Sequence, residues 1–135
     1  MKFIFGAPRA RGMNERSSAT AAKAAPGRRR RLPYFTALSG MIDRGEPVIE
    51  AAFGRHVHWG FWPDPSRATV DAADYAAAAE RLTREICDAA RIADDMRLLD
   101  VGCGFGGTIA SINDRFRNMQ LAGINIDGHQ LARAR

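Results

Sequence analysis

The sequence predicts an α/β protein that starts an open, parallel β-sheet. Three observations predict it: an apolar run ending in a carboxylate and a glycine-rich turn (residues 98–108, LLDVGCGFGGT), an amphipathic stretch after the turn, and a second apolar run. The order strand, turn, helix, strand makes two parallel strands joined by a right-handed crossover. In such sheets the ligand lies at the carboxyl ends of the strands.

Composition and charge divide the chain into a basic tail and a mildly acidic body. The 135 residues are 46% hydrophobic and 26% charged, an ordinary mixture for one small domain. Residues 1–32 carry nine Lys or Arg against Glu15 alone, and the remainder carries eleven Arg against fourteen Asp or Glu. No apolar run is long enough for a membrane span or a secretory signal, so we expect a soluble, cytoplasmic protein.

The first 31 residues are expected to be a disordered basic tail. They combine Ser, Ala, Pro and Gly with four consecutive arginines, and large apolar side chains are too few to offset the entropy of ordering. An arginine block can bind nucleic acid, and an arginine-rich leader can be a transit peptide. The acidic body, which lacks interleaved aromatic and basic residues, argues against a nucleic-acid partner.

Residues 32–96 are predicted to form a helical cap with an aromatic loop. Pro33 is placed in the first turn of a short helix over residues 32–44, and a second short helix runs over residues 48–53. The stretch HVHWGFWPDPS, residues 56–66, is predicted to be a loop because Pro63 and Pro65 oppose regular structure.

A long helix is predicted over residues 71–93, with Asp71 as its N-cap. Its inward stripe, read from the helical spacing of apolar residues, consists of Tyr75, Ala79, Leu82, Ile86, Ala89 and Ala93. The opposite face is expected to be solvated and carries Glu80, Arg81, Arg84, Glu85 and Asp88.

The sheet unit is predicted within residues 97–135. A buried strand covers residues 97–101, a helix covers 107–116, a second strand covers 119–126, and residues 127–135 start another helix. Neither Cys87 nor Cys103 has the spacing of a zinc ligand, and two cysteines do not suggest a disulfide framework, so no metal is expected.

The glycine turn is predicted to hold a ligand against the backbone. Glycines remove Cβ atoms where the chain reverses, and the following helix presents its positive end. The spacing fits both GxGxxG, typical of dinucleotide binding, and D-x-G-x-G-x-G, typical of S-adenosylmethionine binding. Asp100 favours the second pattern because a carboxylate repels a pyrophosphate and attracts an ammonium group.

LLDVGCGFGGT resembles motif I of the class I S-adenosylmethionine-dependent methyltransferases. LAGINIDGHQLARAR is similar to their second strand and following helix, and HVHWGFW is similar to an aromatic segment of the small-molecule branch that includes tocopherol, sarcosine/dimethylglycine and sterol methyltransferases. The resemblance covers residues 34–135. It implies a Rossmann-like fold, S-adenosylmethionine as cofactor and a small-molecule methyl acceptor.

Site residues follow from the resemblance, position by position. It implies that Asp100 holds the cofactor's amino group and that the turn lies against its methionine and ribose portions through Gly102, Cys103, Gly104 and Gly106. The family's acidic ribose ligand falls at Asn125 here, with Asp127 two residues later. Either side chain could bind ribose, and Asp127 could instead cap the next helix.

The aromatic segment supplies the residues expected to border methyl transfer. His58 and Trp59, with Trp62, are placed there because electron-rich rings stabilise a sulfonium methyl by about 0.5–2 kcal/mol. His56 or His58 could also take a proton from a hydroxyl acceptor.

Only the N-terminal helices and the first β-α-β unit of the implied fold are contained in the sequence. We therefore expect an N-terminal piece of a longer methyltransferase that does not turn over alone. Two alternatives stay open at this point: a nicotinamide-dinucleotide-binding oxidoreductase through GxGxxG, and a nucleic-acid-binding module acting through the arginine block. The acceptor and the oligomeric state do not follow from the sequence.

Overall fold

The computed structural model describes residues 2–6, 33–69 and 71–134. They build a three-stranded sheet in the order β1-β3-β2, where β1 is Lys2–Gly6, β2 is Arg97–Val101 and β3 is Gln120–Asn125. β2 and β3 are parallel, with Asp100 opposite Gly123. The predicted strand-helix-strand unit is therefore confirmed.

Strand β1 corrects the prediction of a disordered tail for five of its residues. Lys2–Gly6 pair with β3 in antiparallel register, with Lys2 opposite Asn125 and Gly6 opposite Leu121. Large apolar residues are few in the tail as a whole, but Phe3, Ile4 and Phe5 are consecutive, and the free edge of β3 offers backbone hydrogen bonds that a composition argument does not count. The rest of the predicted tail, including the arginine block, lies outside the described residues.

The described residues form five α-helices: α1 Pro33–Asp43, α2 Pro47–Phe53, α3 Ala72–Ala89, α4 Gly107–Arg115 and α5 Gly128–Arg133. The predicted helices match α1, α2 and α4 to within one or two residues at each end. Asp71 is confirmed as the N-cap of α3, since its side chain accepts a hydrogen bond from the backbone of Asp74. The proline-rich loop contains one 3-10 turn, Pro65–Arg67, that was not expected; the side chain of Asp64 caps it.

The buried face of α3 differs from the predicted stripe. Thr83 and Cys87 are buried, whereas Ile86 is 57% exposed, and the helix ends at Ala89. The buried stripe of α3 lies one position further along the helix than the predicted stripe. The reason is that the face of α3 that packs against α4 carries small side chains and Glu80. The prediction that Glu80 is solvated is wrong.

Two hydrophobic clusters hold the layers together. The first packs α3 and α4 on the sheet and contains Cys87, Ile112, Met119 and Leu121. The second joins α1 to the turn after β2 through Leu38, Ile42 and Phe105, and Ile49 and Phe53 of α2 pack against it. The helical cap is therefore anchored directly on the glycine turn.

The strand β2 lies at an edge of this sheet and is less buried than the sequence predicts. Leu99 is 58% exposed and Val101 is 73% exposed, because no described element covers that face. Among the described residues, no helix is both long and apolar enough to cross a membrane.

Candidate functional site

The turn after β2 is built from glycines in left-handed backbone conformations. Gly102, Gly104 and Gly106 have φ values of 91°, 54° and 82°. A Cβ on Gly104 would lie 2.6 Å from a methyl carbon of Val57, so the helical cap packs closely against the turn there. A Cβ on Gly102 would meet nothing within 4 Å, so the backbone at Gly102 faces open space. That space is available to a ligand.

Hydrogen bonds fix the turn to the neighbouring strand. The backbone N–H groups of Gly102 and Cys103 both donate to the carbonyl of Ile124, at 2.7 and 3.1 Å. Cys103 is buried, and its Sγ lies 2.9 Å from the position that a Cβ on Gly123 would take. Cys103 thus fills a tight space, and these contacts hold the turn against β3.

A cavity of about 930 Å³ opens at the carboxyl ends of β2 and β3. This volume lies within the usual range of small-molecule sites, about 300–1,000 Å³. The glycine turn, the end of β3, helix α1 and the segment from Arg55 to His58 contribute to its wall. Predicted site residues that line it are His58, Asp100, Gly102, Cys103, Gly104, Asn125 and Asp127.

Asp100 places a carboxylate on the cavity wall, where none of the described residues bonds to it. Its side chain is half-buried, and within the described ranges it makes no hydrogen bond or ion pair. Burial raises the pKa of Asp100, and the nearby His58 opposes that shift only partly. A carboxylate in this setting gains free energy when a cation binds beside it.

At the end of β3, Asn125 and Asp127 lie on the same cavity. The Asn125 side chain donates to Gln130 Oε1 at 2.8 Å and accepts from the Asp127 backbone at 3.3 Å. Asp127 is the N-cap of α5, since its Oδ1 accepts from the backbone of His129 at 2.8 Å. Its Oδ2 has no hydrogen bond to a described residue, so a ligand role for Asp127 stays open beside the capping role.

The aromatic segment divides into residues near the cavity and residues away from it. His58 lines the cavity and is held by Thr83 Oγ1 at 3.0 Å and by the Trp59 carbonyl at 2.9 Å. Trp59 is 71% exposed and stacks on Tyr34, with ring centres 6.1 Å apart. Trp62 donates its indole N–H to Asp74 at 2.7 Å. Neither tryptophan lines the cavity, and their roles in methyl transfer stay predictions.

The structure also reveals a polar network that the sequence did not indicate. Glu80 accepts hydrogen bonds from Ser111 at 2.5 Å, His56 at 2.8 Å and Arg55 at 2.9 Å. Burial alone would raise the pKa of Glu80, but these bonds lower it to about 2. The network joins α3, α4 and the segment before the aromatic loop. The three partners lie 24 to 31 residues from Glu80 in the chain, so no local pattern could have found these bonds.

The chain is similar in sequence to several methyltransferases. The chain is 32% identical to an O-methyltransferase of Pyrenophora dematioidea over 76% of this chain and 37% of the relative. It is 34% identical to methyltransferase GfsG of Streptomyces halstedii over 69% of this chain and 32% of the relative. Ajmaline N-methyltransferase of Rauvolfia serpentina is 32% identical over 70% of this chain and 33% of the relative.

The chain is also similar to a solved structure. The [4+2]-cyclase SpnF matches with a TM-score of 0.53 and 29% identity, over 72% of this chain and 34% of that chain. No family model matches. The chain spans about a third of the length of the relatives it matches.

Proposed function

Because the chain belongs to the class I S-adenosylmethionine-dependent methyltransferases, we propose that it binds S-adenosylmethionine and takes part in methyl transfer to a small-molecule acceptor. One observation carries the proposal: the half-buried carboxylate of Asp100, which has no hydrogen bond or ion pair to a described residue, lies beside the open, left-handed backbone of Gly102. The cofactor's ammonium group supplies the cation that Asp100 lacks. The bare backbone at Gly102 allows the cofactor to approach closely.

The residues that line the cavity support this proposal. The cavity of about 930 Å³ has room for a nucleoside, and its wall includes the Asn125 amide and the Asp127 carboxylate, which can bind ribose hydroxyls. When bound, S-adenosylmethionine supplies an electrophilic methyl group on a sulfonium. The chain's own residues then orient the acceptor for an in-line approach within about 3–3.5 Å and keep water out.

Calorimetric titration with S-adenosylhomocysteine and, separately, with NAD tests the proposal. We expect binding of the first ligand only. Asp100→Asn removes a charge-assisted hydrogen bond worth about 1.5–3 kcal/mol, so the dissociation constant should rise about 10- to 100-fold. Asp88→Asn is the matched control, since Asp88 is 62% exposed at the far end of α3 and pairs with Arg115.

Three outcomes would contradict the proposal. Binding of NAD in preference to S-adenosylhomocysteine would favour an oxidoreductase. Equal affinity in Asp100→Asn and Asp88→Asn would remove the role given to Asp100. Binding of nucleic acid that weakens steeply with salt, without binding of either small ligand, would favour a function of the arginine block.

A further inference from the structure

Arg55 begins the part of the cavity wall that the helical cap contributes. The four residues Arg55–His58, called the wall segment below, line the cavity and belong to no helix or strand. A segment without the hydrogen bonds of a helix or a sheet takes its position from its other contacts. The contacts of the wall segment therefore determine the shape of the cavity on this side.

The guanidinium of Arg55 joins the wall segment to two helices. Its Nη1 donates to Asp114 on α4 at 2.8 Å, and its Nη2 donates to Glu80 on α3 at 2.9 Å. A planar guanidinium presents its donors in fixed directions, so it can hold two carboxylates at once. Since α3 and α4 pack on the sheet through the first hydrophobic cluster, Arg55 ties the wall segment to the sheet.

The wall segment also packs closely against the glycine turn and the start of α4. A Cβ on Gly107 would lie 2.3 Å from the Arg55 carbonyl oxygen, and a Cβ on Gly104 would lie 2.6 Å from a methyl carbon of Val57. Both glycines line the cavity. A shift of the wall segment therefore changes the cavity where the turn is open to a ligand.

The buried ring of His56 shows that this packing has a cost. The residue is 6% exposed, and no described residue bonds to its Nδ1, which lies 2.5 Å from the position of a Cβ on Gly107. A buried acceptor without a partner disfavours the arrangement that holds it. The hydrogen bonds of Arg55 and of His56 Nε2 to Glu80 oppose that cost.

We propose that Arg55 is a positioning residue for the cofactor cavity. Its two ion pairs hold the wall segment against the glycine turn and the start of α4, in the conformation that binds the cofactor. This inference rests on the S-adenosylmethionine binding proposed above. Arg55 acts through the segment that it holds: a pre-organised wall raises the affinity because the free protein already occupies the binding conformation.

Calorimetric titration of the full chain with S-adenosylhomocysteine measures the effect. Arg55→Ala removes both ion pairs, and we expect Kd to rise about 10-fold, as it would if the binding conformation fell to about a tenth of the population. Arg84→Ala is the matched control, because Arg84 pairs with the same Glu80 carboxylate at 3.5 Å but does not line the cavity. The control should change Kd by less than about 2-fold.

Asp114→Asn removes only the ion pair to α4 and is the milder variant, since Asp114 is 62% exposed. We expect Kd to rise about 3-fold in this variant. Adding Asp114→Asn to Arg55→Ala should produce no further rise, and a double-mutant cycle on Kd measures this coupling. Millimolar guanidinium chloride, with sodium chloride as its control, should restore affinity in Arg55→Ala and have no effect on Arg84→Ala.

NMR of the ligand-free protein tests the contact apart from cofactor binding. The nuclear Overhauser effect between a Val57 methyl group and the Hα of Gly104 reports whether the wall segment lies against the turn. It should be strong in the unmodified chain and in Arg84→Ala, and weak in Arg55→Ala.

The outcomes separate this inference from the proposed function. Failure of the unmodified chain to bind S-adenosylhomocysteine overturns the proposed function, and this inference with it. Normal binding by the unmodified chain, with the same Kd in Arg55→Ala as in Arg84→Ala or an unchanged nuclear Overhauser effect, overturns the role of Arg55 alone. If Arg55→Ala does not fold, Asp114→Asn decides, and an unchanged Kd in that variant overturns the role of Arg55.

Discussion

Replacing Glu80 with glutamine tests the polar network that joins α3, α4 and the segment before the aromatic loop. The pKa of Glu80 lies at about 2 against an ordinary 4.5. At 1.36 kcal/mol for each pH unit, this difference corresponds to roughly 3 kcal/mol in favour of the folded state. A fifth of the side chain is exposed, so solvent screening reduces the figure, and we expect Glu80→Gln to cost about 2 kcal/mol near pH 6.

The pH dependence has a definite sign. Because the folded-state pKa is lowered, the stabilisation is fully present above about pH 4.5 and is lost as pH falls toward 2. Urea unfolding followed by circular dichroism should therefore show a difference between the two proteins that shrinks by about half or more at pH 3. Glu85→Gln on the exposed face of α3 is the control. A loss below about 0.5 kcal/mol, or an equal loss at both pH values, would refute the reasoning.

Three further substitutions have distinct expected outcomes. Gly104→Ala should destabilise the fold more than Gly102→Ala, because both strain a left-handed backbone but only the first places a Cβ 2.6 Å from Val57; thermal unfolding compares them, and equal losses would contradict this. Asp100→Asn should raise the stability of the free protein near pH 7, since burial disfavours the charge, and the gain should vanish below the ordinary pKa of 3.8. Ser111→Ala should lower the free energy of unfolding by about 1 kcal/mol. In a protein that already carries Glu80→Gln the same substitution should cost almost nothing, and a double-mutant cycle measures this difference.

Local patterns predicted most of the elements because their signals lie within a few residues. The strand Arg97–Val101 was predicted with its observed ends, since an apolar run leads directly into Gly102. Helix α3 was found, but its buried face was not, because the spacing of apolar residues favoured Ile86 over Thr83. Side-chain hydrogen bonding to α4 determines that face, and hydropathy does not record it.

The candidate site was predictable in part for the same reason. Asp100 and the glycines follow each other in the chain, and the structure brings them to one cavity with Asn125 and Asp127. The bond between His56 and Glu80 joins positions 24 residues apart and left no local signal. Only the packing of α3 against the cap could reveal it.

The pairing of β1 with β3 has a consequence for biosynthesis. Lys2 pairs with Asn125, so β1 meets its native neighbour only after synthesis has passed β3, more than a hundred residues further along the chain. Contacts between such distant positions form slowly, because a long loop must close first. Until β1 pairs with it, the edge of β3 is open to other strands.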